Sequence, residues 1–456
     1  MVTFSALALA AVLDDLLPSQ ATGELCVALS GGLDSTVLLS ALAEVLPQRP
    51  GWTLRAVHID HQLHPSSVQW QQACARFAHQ LGIQYEYCTV DVARDSVEGI
   101  EAAARTARYD ALRRGLRPGE SLLTAHHADD QLETVLLALL RGSGVKGLAA
   151  MPFCAPFGSG WHLRPLLKFV HVDLQRWAQE RNLLWVDDPS NAALNFSRNY
   201  LRAEVVPQLR ARWPSASITA TRSAAHAGEA ITLLDELAQI DHDAASIEDC
   251  LDVAKLRALS GPRRRNLLRY WVRKRELPLP STAKLRSLDH DALMAQWDRS
   301  LCVHWAGAEV RRHRDLLYAN APLSKPVFAP VPLQWHWEHE PLALGNGMGA
   351  LRAQRTRGRG LSLEHLQPTL TVRGRYDGER LHAAGRPHQR SLKHLLQESA
   401  VLPWWRSRLP LICVAQDLAA VADLYVTQRF AASPDEEAVE IVWLNRPSIT
   451  AVRPAD

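Results

Sequence analysis

Short apolar runs alternate with stretches of helical spacing over the first half of the chain. The apolar runs predict four strands, at Leu25–Leu29, Leu54–Asp60, Gln84–Asp91 and Ser121–His126. The other stretches predict helices, at Val2–Leu13, Ser35–Leu46, Glu98–Arg114 and Asp129–Leu140. Strand–helix alternation predicts a parallel sheet covered on both faces, and such sheets bind ligands at the carboxyl ends of their strands.

Two further regions follow this α/β pattern. Helical spacing appears in Ala230–Ile240, and the segments Leu301–Trp305 and Glu309–His313 predict a hairpin. Four prolines between 322 and 332 indicate a linker. We therefore expect an α/β nucleotide-binding domain over residues 1–214, a mostly helical middle domain over 215–320, a linker over 321–350, and a small α+β C-terminal domain over 351–456.

Composition and charge exclude several classes of protein. The 456 residues are 47% hydrophobic and 22% charged, which is ordinary for a globular chain, and the net charge is only +3. Binding to nucleic acid must then depend on local patches, such as Arg263–Arg275 or the stretch from Arg352 to Arg408, which has 12 Lys/Arg against 4 Asp/Glu. The seven cysteines are isolated, no apolar run approaches a membrane span, and the apolar N-terminus lacks a positive n-region, so we expect a cytoplasmic protein.

One loop carries the sharpest chemical signal. It lies between the first predicted strand and its helix, where glycines and a helix N-terminus favour an anion, and it reads Ser30-Gly31-Gly32-Leu33-Asp34-Ser35. Asp34 would repel a phosphate unless Mg²⁺ bridges the two. The alternative is a plain turn with Asp34 as a helix cap. No G-x-x-x-x-G-K-[ST] loop is present, and the G-x-G-x-x-G at residues 142–147 follows a helix rather than a strand.

A second cluster follows the fourth predicted strand and reads H-H-A-D-D-Q-L-E-T from His126. Asp130 and Glu133 are spaced i, i+3 and should share one face of the helix. Paired carboxylates there can hold Mg²⁺ or accept an ammonium group, whereas the alternative is helix capping by Asp129 with acids on the surface. The spacing of the adjacent histidines does not match that of a catalytic zinc site.

Several motifs resemble a known family. The S-G-G-x-D-S loop resembles the PP-loop superfamily, whose members split ATP between the α and β phosphates. More narrowly, the chain resembles the tRNA(Ile)-lysidine synthase family. The matching segments are the H-H-x-D-D-Q-x-E-T stretch, Glu101–Tyr109, Arg141–Gly144 with Gly147-Leu148, Arg164–Leu167, Asp188–Asn191, Arg198-Asn199 with Arg202, Arg373–Arg375, Asp377–Arg380, Leu392-Lys393 and Pro403-Trp404.

The resemblance implies a reaction, its cofactors and its partners. In that family ATP adenylates the C2 oxygen of the wobble cytidine of a tRNA(Ile) with a CAU anticodon, and the amine of free L-lysine then displaces AMP to give lysidine. It implies ATP and Mg²⁺ as cofactors and a homodimer as a possible assembly. We expect Asp34 and Asp130 to hold Mg²⁺, and Asp34, Asp130 and Glu133 to be catalytic, with Glu133 orienting lysine.

The same resemblance extends to the basic residues. Together with the loop from Ser30 to Ser35, Arg105 and Arg108 are expected to bind ATP. The residues expected to contact tRNA are Arg198, Arg202, Arg263, Arg264, Arg265, Arg373, Arg375, Arg380 and Lys393. For each group the alternative is a solvated basic face. Two other functions stay open: a PP-loop tRNA thiolase, which usually needs paired cysteines, and a tRNA-binding protein with an inactive nucleotide loop.

Overall fold

The computed structural model describes residues 3–92, 100–186, 197–294, 301–324, 326, 328 and 331–452. The chain divides into two compact units, residues 1–233 and 234–456. Each unit has a hydrophobic core of its own. None of the helices in the described ranges is long and apolar enough to cross a membrane.

The first unit is built on a six-stranded sheet of order β3-β2-β1-β4-β6-β5. The strands are β1 Glu24–Ala28, β2 Thr53–Asp60, β3 Gln84–Thr89, β4 Ser121–Leu123, β5 Cys154–Phe157 and β6 Gly160–Leu163. Neighbours are parallel except β5, which pairs antiparallel with β6. This confirms the predicted parallel sheet and its four predicted strands, and adds a short hairpin at one edge.

Helices cover this sheet. They are α1 Ala6–Leu16, α2 Leu33–Val45, α3 Ser67–Gln80, α4 Ile100–Gly115, α5 Ala128–Leu140, α6 Val145–Leu148, α7 His171–Glu180, α8 Ser197–Tyr200 and α9 Val206–Arg212, with 3₁₀ turns at Leu46–Gln48 and Pro165–Lys168 and a π segment at Leu201–Val205. Helix α10, Ala216–Ala245, follows and continues past residue 233, where the first unit ends. Helix α2 is almost wholly buried, because Val37, Leu38 and Leu39 leave no polar face for solvent. Its N-terminus is therefore fixed at the carboxyl end of β1.

The predicted middle domain, residues 215–320, is mostly helical as expected. Its helices are α10 together with α11 Val253–Ala258, α12 Gly261–Lys274 and α13 Thr282–Met294. They accompany an antiparallel sheet of order β7-β8-β11-β10-β9, formed by β7 Ser246–Ile247, β8 Cys250–Asp252, β9 Cys302–Trp305, β10 Ala308–His313 and β11 Leu316–Asn320. The predicted hairpin is confirmed as β9 and β10.

The C-terminal region holds three antiparallel sheets, of orders β12-β16-β19-β20-β21, β13-β14-β22-β15 and β17-β18. Its elements are β12 Leu333–Trp335, β13 Leu342–Ala343, β14 Ala350–Arg357, β15 Leu361–Ser362, β16 Leu370–Arg373, β17 Arg380–Leu381, β18 Arg390–Ser391, α14 Leu392–Glu398, β19 Leu411–Val414, β20 Asp417–Val421, β21 Tyr425–Val426 and β22 Glu437–Leu444, with a 3₁₀ turn at Leu363–His365. Strands β12 and β13 lie within the expected linker. Trp335 and Trp337 are buried there, so this stretch contributes to the core despite its prolines.

Candidate active site

The loop between β1 and α2 is shaped by one glycine and two serines. Gly31 has φ +87°, and a Cβ there would lie 3.0 Å from the Cys74 sulfur, so the position requires glycine. Gly32 begins the helix at φ −72°. The backbone N–H of Ser30 donates to Ser35 Oγ at 3.2 Å, and the two hydroxyl oxygens lie 3.0 Å apart. These contacts link the two ends of the loop.

Asp34 lies in the first turn of α2 and lacks a close cationic partner. Its Oδ1 is buried without a hydrogen-bond partner among the described residues, and the nearest ring nitrogens, of His127 and His171, are each 3.7 Å from a carboxylate oxygen. Burial raises the pKa of Asp34, although both histidines oppose this shift. A cation bound at Oδ1 would offset that burial.

Asp130 approaches the same imidazole from helix α5. His127 caps this helix. Its ring Nδ1 accepts a hydrogen bond from the backbone N–H of Asp129, and its backbone N–H donates to Asp130 Oδ2 at 3.1 Å. His127 Nε2 lies 3.5 Å from Asp130 Oδ2, on the side that also faces Asp34. Burial would raise the pKa of Asp130, but neighbouring histidines and arginines outweigh it and hold the pKa well below the ordinary value. Asp130 is therefore ionised.

The carboxylate oxygens of Asp34 and Asp130 are suitable ligands for a divalent cation. Ligand atoms of Asp34, His127 and His171 lie within 4.8 Å of one another. Mg²⁺ prefers oxygen and takes only one or two carboxylates beside its waters. Asp34 Oδ1 has no hydrogen-bond partner among the described residues, and both Asp34 and Asp130 lie near the Nε2 atom of His127. These two carboxylates suit Mg²⁺ better than the histidine nitrogens do.

Glu133 is placed differently from the sequence expectation. Its carboxylate is only 1% exposed and accepts hydrogen bonds from Arg198 Nε at 2.8 Å and from Arg202 Nε and Nη2 at 2.8 and 3.0 Å. Arg202 also contacts Asp130 Oδ1 at 3.0 Å. The two arginines expected to contact tRNA thus form one ion-pair network with the two carboxylates. Both oxygens of Glu133 are thus occupied by guanidinium groups, an arrangement that does not favour the expected role of Glu133 in orienting lysine.

A cavity of about 500 Å³ opens at this end of the sheet. The loop residues Ser30, Gly32, Leu33, Asp34 and Ser35 line it, as do Arg108, His126, Asp130, His171 and Arg202, among others. Its size, and the glycine-containing loop and helix N-terminus in its wall, suit a nucleotide. Arg105 is not among the lining residues, and its guanidinium instead lies 5.0 Å from the centroid of the Tyr109 ring.

Sequence reasoning missed two members of this site. His127 lies inside the recognised motif and could have been found from its position at a helix start. His171 begins α7, 41 residues beyond Asp130, and no local pattern marks it. The motif segment Asp188–Asn191 lies outside the described residues.

Comparison with known proteins connects this geometry to a family. A family model described as a PP-loop domain matches residues 6–209, which include the whole cavity lining. Models described as the TilS substrate binding domain and the TilS substrate C-terminal domain match residues 251–318 and 370–443.

Full-length relatives agree with these matches. The tRNA(Ile)-lysidine synthase of Coxiella burnetii is 39% identical over 90% of this chain and 91% of its own, and that of Alkalilimnicola ehrlichii is 42% identical over 90% and 91%. The chain belongs to the tRNA(Ile)-lysidine synthase family. A solved U34-tRNA thiolase from Methanococcus maripaludis is 19% identical with a TM-score of 0.41, covering 48% of this chain and 77% of the thiolase, and it carries no argument about activity.

The arginine cluster of helix α12 lies within the matched TilS substrate binding domain. Arg263 pairs with Asp241, whereas Arg264 and Arg265 both pair with Asp289, at 2.7 and 3.2 Å. Two carboxylates of the same unit therefore offset part of the charge of these three arginines, and the cluster keeps a net positive charge. The exposed Arg269 differs from them, since no described carboxylate lies within ion-pair distance of it.

The C-terminal arginines divide in the same way within the matched TilS substrate C-terminal domain. Arg373 pairs with Glu379 and stacks on Tyr376, which makes it part of the fold. The expected contacts Arg375, Arg380 and Lys393 form no ion pair with any described carboxylate, and Arg380 and Lys393 are exposed. Of the four residues predicted in this domain, these three therefore differ from Arg373 in having no carboxylate partner among the described residues.

Proposed function

We propose that this chain is an ATP-dependent ligase that joins free L-lysine to C2 of the wobble cytidine of tRNA(Ile) with a CAU anticodon. The observation that carries the proposal is a PP-loop, opening on a nucleotide-sized cavity with Asp34 and Asp130 at its wall, in a chain that belongs to the lysidine synthase family. The anticodon would then read AUA in place of AUG.

The proposed reaction has two balanced steps. The C2 oxygen of the cytosine attacks the α-phosphate of ATP and releases pyrophosphate, which turns a poor leaving group into AMP. The lysine ε-amine then attacks C2, loses a proton, and AMP departs with the oxygen. The base must leave the anticodon stack to reach the cavity, as recognition of single-stranded loops allows.

Mg²⁺ supplied with ATP would neutralise charge on the departing pyrophosphate. Asp34 is the residue best suited to hold it, because its Oδ1 is buried and has no hydrogen-bond partner among the described residues. Asp130 is the second carboxylate of the proposed metal site. Its carboxylate is ionised and lines the cavity, and its oxygens also accept hydrogen bonds from Arg202 and from the backbone N–H of His127.

Glu133 and its arginines support this site from behind. Glu133 does not line the cavity, but Arg202 does, and Glu133 fixes the Arg202 guanidinium through Nε and Nη2. We therefore propose Arg202 as a contact for the nucleotide or the RNA, with Glu133 as a positioning residue.

A sulfur-transferring function receives no support from the cysteines. Sulfur transfer requires a reactive thiolate. Cys74, the cysteine beneath the loop, is buried, and burial raises its pKa to about 12. No cysteine lines the cavity in the described part of the chain.

The experiment that tests the function is a transfer assay. The purified chain is incubated with a tRNA(Ile) transcript, Mg·ATP and labelled lysine, and label in the tRNA and AMP are measured together. We expect label in the tRNA, and none with a transcript in which uridine replaces the wobble cytidine. Absence of label with the correct tRNA would contradict the proposal. The homodimer implied by the family resemblance stays a prediction, and light scattering of the purified chain would test it.

A further inference from the structure

A chain of hydrogen bonds leads from the half-buried Arg164 to the wall of the cavity. Arg164 Nη2 lies 3.0 Å from His162 Nδ1, His162 Nε2 lies 2.9 Å from Thr124 Oγ1, and Thr124 Oγ1 lies 2.9 Å from His126 Nδ1. His162 and Thr124 are buried, whereas His126 lines the cavity. None of these residues has a place in the reaction as described above.

The chain has one direction, because its first member can only donate. A guanidinium has no acceptor atom, so His162 must accept at Nδ1 and carry its proton on Nε2. That proton is donated to Thr124 Oγ1. The Thr124 hydroxyl then donates a hydrogen bond to His126 Nδ1, since no other described group accepts from it. A buried hydroxyl rarely lacks an acceptor for its proton. His126 therefore carries its own proton on Nε2.

In this arrangement both rings are neutral, because each accepts a hydrogen bond at Nδ1. Burial, followed by the charges of Arg164, Arg105 and Arg108, lowers the pKa of His162 to about 3. Burial likewise lowers the pKa of His126 well below its ordinary value. The Asp130 carboxylate opposes this shift in the pKa of His126, whereas Arg164, Arg105 and Arg198 add to it.

The Nε2–H of His126 has no acceptor among the described residues, and the cavity beside it also presents Arg108 and the PP-loop. Cations and N–H donors together suit an anionic oxygen. We propose that neutral His126 donates its Nε2–H to a phosphate oxygen of the bound nucleotide, and that Arg164, His162 and Thr124 are positioning residues that select this tautomer. The ligand named here rests on the proposed function, whereas the tautomer does not.

The tautomer is testable without any ligand. In the full chain labelled with ¹⁵N-histidine, long-range ¹H–¹⁵N spectra distinguish a protonated ring nitrogen from a bare one, and His126→Gln identifies the signals of that ring. At neutral pH we expect His126 to be protonated at Nε2 only. Thr124→Val should disturb this pattern, whereas Thr124→Ser, which keeps the hydroxyl, should preserve it. Protonation at Nδ1, or equal spectra for the Val and Ser variants, would overturn the proposal.

The contact to the nucleotide is tested by binding of α,β-methylene ATP with Mg²⁺, measured calorimetrically. Loss of a hydrogen bond to a charged group in His126→Leu should weaken binding about tenfold to a hundredfold. His126→Gln, which keeps an N–H donor, should recover much of this loss, and Thr124→Val should bind more weakly than Thr124→Ser. Binding by His126→Leu as tight as that of the unaltered chain would overturn the contact.

The two tests also separate this proposal from the function. A chain that shows the expected tautomer and binds the analogue but transfers no lysine contradicts the ligase function, while the role of His126 stands. A chain that transfers lysine with His126 protonated at Nδ1 has the function but not the hydrogen-bond chain described here.

Discussion

Replacing Glu133 by glutamine isolates the charge that holds two arginines at the active site. The carboxylate is buried and accepts three N–H bonds, from Arg198 and Arg202, whose side chains are 31% and 44% exposed. Glutamine keeps one acceptor oxygen and turns an amide N–H₂ toward a guanidinium. Breaking a buried ion pair from one side costs about 3 kcal/mol or more, and the partial exposure of both arginines favours the low end of that range.

Two measurements check this prediction. Urea unfolding followed by fluorescence should show the loss of stability, with Glu229→Gln as the control, since Glu229 is exposed and forms no ion pair within the described residues. Pyrophosphate release and lysine transfer, measured separately, should fall together, because Arg202 serves the site in both steps. A variant of unchanged stability that loses only lysine transfer would refute the reasoning and return Glu133 to the role of a lysine ligand.

Three further predictions concern the glycines of the PP-loop, the arginines of helix α12, and Asp34. Gly31→Ala should cost about 1–2 kcal/mol from its left-handed backbone and weaken ATP binding, whereas Gly32→Ala, at φ −72°, should change thermal stability little. Arg269→Glu should weaken tRNA binding in filter-binding titrations and reduce the dependence of the affinity on salt concentration. Arg264→Glu should instead chiefly destabilise the second unit in a thermal melt, because Arg264 pairs with Asp289. An unchanged salt dependence for Arg269→Glu would contradict this prediction. Asp34→Asn should abolish AMP formation without lowering the melting temperature, because Oδ1 has no hydrogen-bond partner to lose among the described residues; normal AMP release would exclude the metal role.

The sheet and the PP-loop could be predicted because their signals are local. Alternating apolar runs mark buried strands, and a glycine pair between a strand and a helix marks a turn that needs a positive φ, which Gly31 supplies. The positions of Asp34 and Asp130 followed, because the carboxyl ends of parallel strands meet at one edge of the sheet.

The partners of charged side chains could not be predicted in this way. Glu133 meets Arg198 and Arg202 across more than sixty residues of sequence, and Arg264 meets Asp289 from another helix. A sequence shows each charge as though it were free, and only the fold decides which charges neutralise one another. The same holds for His171, which reaches Asp34 from a distant helix.

The stoichiometry of the reaction tests the central claim most directly. After incubation with tRNA(Ile), labelled lysine and ATP labelled in both the α- and the γ-phosphate, lysine in the tRNA, AMP and pyrophosphate are counted in one sample, and the wobble nucleoside is isolated. We predict equal amounts of all three and a lysine-bearing cytidine at the wobble position. Release of ADP, or AMP formed without lysine in the tRNA, would contradict the assignment of this chain as a lysidine-forming ligase.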